Sequence, residues 1–158
     1  GLNALLTAQH AEKTNRKVDY HTLEPFQVPF DLIEKIGYGE LSEDSTLFTQ
    51  LHEAEWETKT KINEQFTLLK TTQKLEYINL EDEMYDVIYF DAFAPKKQPE
   101  LWNKEIFMKL YTATNPGGVL TTYSAAGQLK RDLKAAGYTI ENPPGANGKR
   151  EMTVAIKQ

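Results

Sequence analysis

The chain has 158 residues, 40% hydrophobic and 26% charged, which suits one compact domain with a soluble surface. Its formal charge of -5 leaves no global basic footprint, so any contact with nucleic acid needs a local patch or a partner subunit. Without cysteine there are no disulfides, thiolate metal sites or cysteine nucleophiles, and no run is long enough to span a membrane and no secretory signal opens the chain, so a cytoplasmic setting is the expectation. The three histidines, His10, His21 and His52, lack metal-ligand spacing, and no metal is expected.

Leu2, Leu5 and Leu6 with Ala8 and Ala11 supply an apolar face at helical spacing, which predicts a helix almost from the first residue. An α/β unit normally opens with a strand and reaches its first helix through a glycine turn. The first strand and most of a glycine-rich loop are therefore expected upstream, with Gly1 the last glycine of that loop; a genuine N-terminal helix is the alternative. Val18 to Glu24 alternates as a strand that Pro25 stops, and this puts the Glu24 carboxylate at a strand end, where it suits two vicinal ribose hydroxyls. Asp31 opens a short helix through Leu32, Ile33 and Ile36 that Gly37 can terminate, and Leu47, Phe48, Leu51 and Ala54 mark another with Ser42 as a possible N-cap.

Phe66 to Thr72 reads as a further strand, followed by a polar connection in which Tyr77, Ile78 and Leu80 are expected to pack. Asp86-Val87-Ile88-Tyr89-Phe90-Asp91, running into Ala92-Phe93-Ala94-Pro95, reads as a buried strand that delivers a carboxylate to its C-terminal tip, where open α/β sheets bind ligands. An Asp that merely caps the next turn is the other reading. Pro99 suits the first turn of a helix with Trp102, Ile106 and Leu110 on its buried face, ended by Pro116-Gly117-Gly118. Val119 to Ser124 then forms a strand, and Leu129, Leu133 and Ala136 form a helix face with Gly137 at C′. Tyr138 to Glu141 and Glu151 to Lys157 read as a closing antiparallel pair.

This order predicts an α/β fold, a mainly parallel sheet with an antiparallel C-terminal edge hairpin, as a single domain over residues 1–158. That is the Rossmann-like layout of class I S-adenosylmethionine-dependent methyltransferases. Within it, Asp91 to Trp102 resembles the D-x-F-x-P-x-K-x-P-x-x-W signature of the methyltransferase domain of the MnmC family. The similarity continues through Tyr123-Ser124-Ala125-Ala126-Gly127, Arg131, Ala135-Ala136-Gly137-Tyr138 and Gly148-Lys149-Arg150-Glu151-Met152. Gly1-Leu2-Asn3-Ala4 is similar to the tail of the family's glycine-rich loop, and Glu24 to its ribose-binding acid.

The resemblance implies S-adenosylmethionine as cofactor and methyl transfer to the 5-aminomethyl group of wobble 2-thiouridine in tRNA. It assigns Gly1, Glu24, Thr72 and Asp91 to the cofactor, and Asp91 also to the chemistry, as the group that orients the attacking amine and accepts its proton or else binds the cofactor's ammonium. Phe93 and Tyr123 would wall the pocket, with aromatic faces that favour the sulfonium charge. Lys96, Lys149 and Arg150, with Lys97, Lys130 and Arg131, would meet phosphates of the anticodon region. Trp102 is read as helix-sheet packing, and Asn142-Pro143-Pro144 as turn chemistry.

Two departures from the family stand out. Thr71-Thr72 occupies the place of a Gly-Asp that holds the adenine amino group, so Thr72 offers a hydroxyl acceptor but no charge. Gln98 replaces a common Asn. The family is often fused to an FAD-dependent oxidase domain; a stand-alone form with a separate oxidase partner is expected here. An aminopropyltransferase-like enzyme of polyamine metabolism and a non-catalytic interaction domain are the alternative functions.

Overall fold

The computed structural model describes residues 1–35, 45–145 and 151–158. The chain divides into two compact units, Gly1–Lys74 and Leu75–Gln158, each taken by itself below.

In the first unit, helix α1 (Leu2–Thr14) buries Ala4, Leu5, Ala8 and Ala11, an i, i+1, i+4, i+7 stripe. The expected face is thus rotated, because the small alanines let α1 approach closely while Leu2 and Leu6 stay exposed. Asn15 ends the helix in the left-handed conformation that Asn tolerates, with φ 51°. Strand β1 (Val18–Leu23) pairs in parallel with β3 (Phe66–Thr71), from Val18 against Phe66 to Leu23 against Thr71. The two-residue strand β2 (Thr60–Lys61), too short to leave a periodic signal, pairs antiparallel on the other side of β3. Helix α2 (Phe30–Glu34) follows β1, and α3 (Ser45–Glu53) sends Leu47, Phe48 and Leu51 into a core with Leu5, Ala8, Ala11, Phe66 and Leu68. Gly37 and Ser42, expected to bound these helices, lie outside the described residues.

The second unit carries strands β4 (Tyr85–Tyr89), β5 (Thr114–Thr122), β6 (Thr139–Glu141) and β7 (Thr153–Ile156), ordered β4-β5-β7-β6. β4 and β5 are parallel, whereas β7 runs antiparallel to both β5 and β6, which is the expected closing hairpin. Burial of the central strand was expected, yet Val87 and Tyr89 are 47% and 44% exposed. Among the described residues β4 has a ladder partner, β5, and it is Ile88 and Phe90, on the alternate face, that it sends into the core of this unit. Tyr77, expected to pack, is 82% exposed in a turn, while Ile78 beside it is buried.

Two helix boundaries also differ from expectation. Pro99 opens only a 3-10 turn (Pro99–Leu101), and helix α4 (Lys104–Ala113) starts separately under an Asn103 cap whose Oδ1 accepts from Ile106 N at 3.0 Å. Pro116-Gly117-Gly118 does not end α4, because the chain is already extended at Thr114. Between the pairs Tyr85–Thr114 and Val87–Val119 the register shifts, so Pro116-Gly117-Gly118 sits in an irregularity of β5, with Gly117 at φ 78°. Helix α5 (Gly127–Ala136) ends as expected at Gly137, at φ 118°, where an added Cβ would lie 2.8 Å from the Tyr111 ring.

The core of this unit gathers Phe90, Phe107, Leu110, Leu120, Leu129, Leu133, Tyr138 and Ala155. A buried polar link joins helix end to hairpin. Thr114 Oγ1, fully buried, donates to Leu110 O at 2.7 Å, so it accepts from the Tyr138 hydroxyl at 2.8 Å.

Burial is the main cause that raises the Tyr138 hydroxyl from the ordinary 10.0 to about 12. Above the ordinary value the unfolded chain releases this proton while the folded chain keeps it, so stability falls as pH rises from about 10 towards about 12. Tyr138→Phe should cost about 1 kcal/mol at neutral pH through the lost hydrogen bond. It should also flatten this alkaline decline, so that urea midpoints of variant and parent converge across that window.

Candidate functional site

β4 ends at Tyr89, and the chain leaves the sheet through Phe90, Asp91, Ala92 and Phe93. Phe90 is the inward anchor, edge-on to both Trp102 and Phe107 at 5.0 and 5.4 Å between centroids. Beyond it the chain leaves the β4–β5 register, and side chains hold the backbone of Ala92 and Phe93. Gln98 Oε1 accepts from Phe93 N at 3.1 Å, Trp102 Nε1 donates to Phe93 O at 2.7 Å, and Tyr123 Oη donates to Ala92 O at 3.0 Å. The carbonyl of Ala94 accepts from the backbone N–H groups of Lys97 and Gln98, which closes the turn.

The spacing of the signature thereby acquires a physical meaning. Gln98 and Trp102 clamp the Phe93 peptide from both sides, and the Phe93 ring, 67% exposed, is presented outward beside an exposed Asp91. Trp102 packs as expected, but its indole N–H has a further task that sequence spacing alone did not reveal. Burial, and then the charge of Asp91, raise the Tyr123 hydroxyl above its ordinary value, so Tyr123 stays protonated at neutral pH.

In the first unit, Gly1 caps α1, with its carbonyl accepting from Leu5 N at 3.0 Å. A Cβ there would lie 2.7 Å from His52 Nε2. That ring is held by a 2.8 Å Nδ1–H bond to Phe48 O and by the Phe48 ring at 4.2 Å, so close approach requires glycine at this position. Burial chiefly lowers the His52 pKa, which keeps the ring neutral.

Glu24 follows the tip of β1 with an exposed carboxylate, its Oε1 accepting from Phe26 N at 3.2 Å and its own N–H donating to Thr71 O at 2.9 Å. Thr72, just past β3, gives both its N–H and its hydroxyl to Glu57 Oε1, at 2.7 and 2.9 Å. Glu57 was not among the residues singled out from sequence, and no short-range signal could have found it, since it lies 15 positions before Thr72.

The basic residues separate into two groups. Lys96 and Lys97 are exposed in the turn after Pro95. Lys130 is instead paired with Glu151 at 3.0 Å, and Arg131 donates to Gln128 Oε1 at 2.8 Å, so these two are held along α5. Lys149 and Arg150 lie outside the described residues.

Comparison with known proteins agrees with this architecture. The sequence profile of a family described as S-adenosyl-L-methionine-dependent methyltransferase matches residues 43–158, well over half of the chain. The chain belongs to that family. S-adenosyl-L-methionine is its cofactor, and the chain is similar in sequence to the MnmC proteins. The tRNA 5-methylaminomethyl-2-thiouridine biosynthesis bifunctional protein MnmC of Ralstonia nicotianae is 41% identical over 70 residues, covering 44% of this chain and 11% of that protein. The protein of the same name from Cupriavidus metallidurans is 43% identical over 70 residues, 44% of this chain and 10% of its own length.

Among solved structures, MNMC2 from Aquifex aeolicus superposes with a TM-score of 0.69 at 20% identity, over 98% of this chain and 49% of that one. The apo methyltransferase SibL gives 0.54 at 11% identity, over 98% and 47%. Both likenesses establish the class I methyltransferase fold, and the chain spans about half the length of each.

The methyltransferase's own residues suit its cofactor. Glu24 carries exposed carboxylate lone pairs of the kind that paired hydroxyl donors, such as those of a ribose, require. Among the described residues no helix is long and apolar enough to cross a membrane.

Trp102→Phe keeps most of the ring packing but removes the donor to Phe93 O. It should cost about 1 kcal/mol in stability. It should also raise amide hydrogen exchange in the loop from Ala92 to Gln98 at least several-fold while leaving β3 unchanged, a pattern that exchange followed by mass spectrometry resolves.

Proposed function

We propose that this methyltransferase transfers a methyl group to the primary amine of 5-aminomethyl-2-thiouridine at the wobble position of tRNA. The observation that carries this reading is the clamped loop after β4. It offers an exposed carboxylate, Asp91, and an exposed aromatic ring, Phe93, on a backbone fixed by Gln98, Trp102 and Tyr123. The local identity to proteins named for 5-methylaminomethyl-2-thiouridine biosynthesis supports the nucleoside assignment.

When bound, S-adenosyl-L-methionine supplies an electrophilic methyl on a sulfonium. The chain's residues must then deliver a neutral amine in line with it, because an ammonium has no lone pair to attack with. Asp91 orients the amine and accepts its proton as the N–C bond forms and the C–S bond breaks. Tyr123 is unsuited to that task, since its proton is committed to Ala92 O and its acidity is weakened by burial and by Asp91. Phe93 and Tyr123 present aromatic faces to positive charge and to the base. Gly1, Glu24 and Thr72 serve the cofactor, while Lys96, Lys149 and Arg150 meet anticodon-region phosphates. An FAD-dependent oxidase supplies the aminomethyl substrate.

Calorimetry with S-adenosyl-L-methionine tests the first half of this reading; absence of binding to the full-length protein overturns it. Given binding, methyl transfer to tRNA carrying 5-aminomethyl-2-thiouridine is expected, and Asp91→Asn should lower kcat about 10²-fold or more. An Asp91→Asn enzyme with unchanged kcat removes Asp91 from the chemistry. Lys96→Ala should instead raise KM for tRNA and reduce its salt dependence while leaving kcat near the parent value.

A further inference from the structure

Glu57 is among the most constrained exposed side chains of the first unit. It stands at φ 59°, in the left-handed region that residues other than glycine seldom adopt. Two links impose that conformation: Trp56 forms a parallel bridge with Lys70 of β3, and Glu57 N donates to Lys70 O at 2.7 Å. The result is a carboxylate laid over the end of β3. Its Oε1 accepts from Thr72 N at 2.7 Å and from Thr72 Oγ1 at 2.9 Å, and its Oε2 accepts from Thr71 Oγ1 at 2.7 Å.

The neighbouring cation does not neutralise this group. Lys70 sends its ammonium to His52 O at 2.7 Å and over the Trp56 ring at 4.8 Å, and no ion pair among the described residues involves Glu57. Glu57 is therefore an oriented, exposed anion. Oε2, with a single donor, retains acceptor capacity. Glu24 stands at the same end of this sheet, on the opposite flank of β3, where its N–H donates to Thr71 O and ties the chain after β1 to the end of β3.

S-adenosyl-L-methionine brings two kinds of neutral donor to such an edge, the ribose hydroxyls and the exocyclic amino group of adenine. Glu24 suits the hydroxyls. Thr71 and Thr72 have already given their hydroxyl protons to Glu57 and carry no charge. We propose that Glu57 is the specificity-determining residue for the cofactor's base, its carboxylate accepting the adenine amino group at the end of β3. This rests on the cofactor being held at the ends of β1 and β3. A carboxylate there favours an amino group and repels a carbonyl oxygen in the same place, so it selects adenine over its deaminated counterpart.

The test compares binding of S-adenosylhomocysteine and S-inosylhomocysteine, by calorimetry, to the full-length protein and to its Glu57→Ala and Glu57→Gln variants. The parent should prefer the adenosyl ligand at least tenfold. In Glu57→Ala the adenosyl ligand should weaken by 10-fold or more, the inosyl ligand should change less than 3-fold, and the preference should collapse towards unity. Glu57→Gln, whose amide oxygen can still accept from Thr72 N, should remain folded by thermal melting and lose part of the preference. If Glu57→Ala, or Glu57→Gln should the alanine variant not fold, weakens both ligands equally and keeps the parent's preference, Glu57 is only a support for the strand end and the proposal fails. A parent without preference also overturns it. Failure of both ligands to bind the parent removes the cofactor placement itself, and the proposal with it.

Discussion

Where β4 leaves its sheet, the peptide groups of Ala92 and Phe93 lose the ladder that would satisfy them, and the chain satisfies them with side chains instead. An indole N–H, an amide oxygen and a phenol hydroxyl close on three successive backbone groups, the N–H and the two carbonyls, from Trp102, Gln98 and Tyr123. Each such bond adds little by itself, but an unmade one in a partly covered loop is costly, so the three together favour one loop conformation. The position of Asp91, the outward aim of Phe93 and the protonated state of Tyr123 all follow from that conformation. Phe90 supplies its other half, holding the strand end in the core against Trp102 and Phe107.

The first unit solves the same problem differently. The pairing of β3 with β1 ends at Thr71, and a carboxylate from 15 residues upstream receives the N–H and hydroxyl of Thr72. In one unit the donors and acceptors come from the signature that follows the strand, and in the other from a segment with no local relation to it. Both strand ends nevertheless display an acidic group on a backbone that is held rigidly, which is what a site for a small polar ligand requires. Most surface acids lack that pre-organisation.

The alternation along β4 shows how far a residue pattern can mislead about burial. Four apolar residues between two aspartates read as a strand covered on both faces, yet Val87 and Tyr89 keep nearly half their surface. A strand's own residues cannot say which of its faces will be covered, because that depends on which neighbours arrive. The irregularity at Pro116-Gly117-Gly118 is of the same kind. Gly and Pro correctly marked a break in regular structure, but the break falls within β5, where Thr114 has already turned the chain out of α4.

Much was legible from residues alone. The first helix, though not its buried face, the strand before Pro25, the left-handed Gly137 and the antiparallel closing hairpin all rest on interactions between near neighbours in the chain, and near neighbours are what a sequence displays. The D-x-F-x-P-x-K-x-P-x-x-W spacing belongs here too, since Gln98 and Trp102 lie five and nine positions from the peptide they clamp. Tertiary structure alone decided which side chains of β4 are covered, that Lys130 is engaged by Glu151, that glycine is required where Gly1 meets His52, and that Glu57 reaches Thr72. Those outcomes depend on distant segments meeting in space, and no spacing along the chain encodes a meeting that only the packed fold brings about.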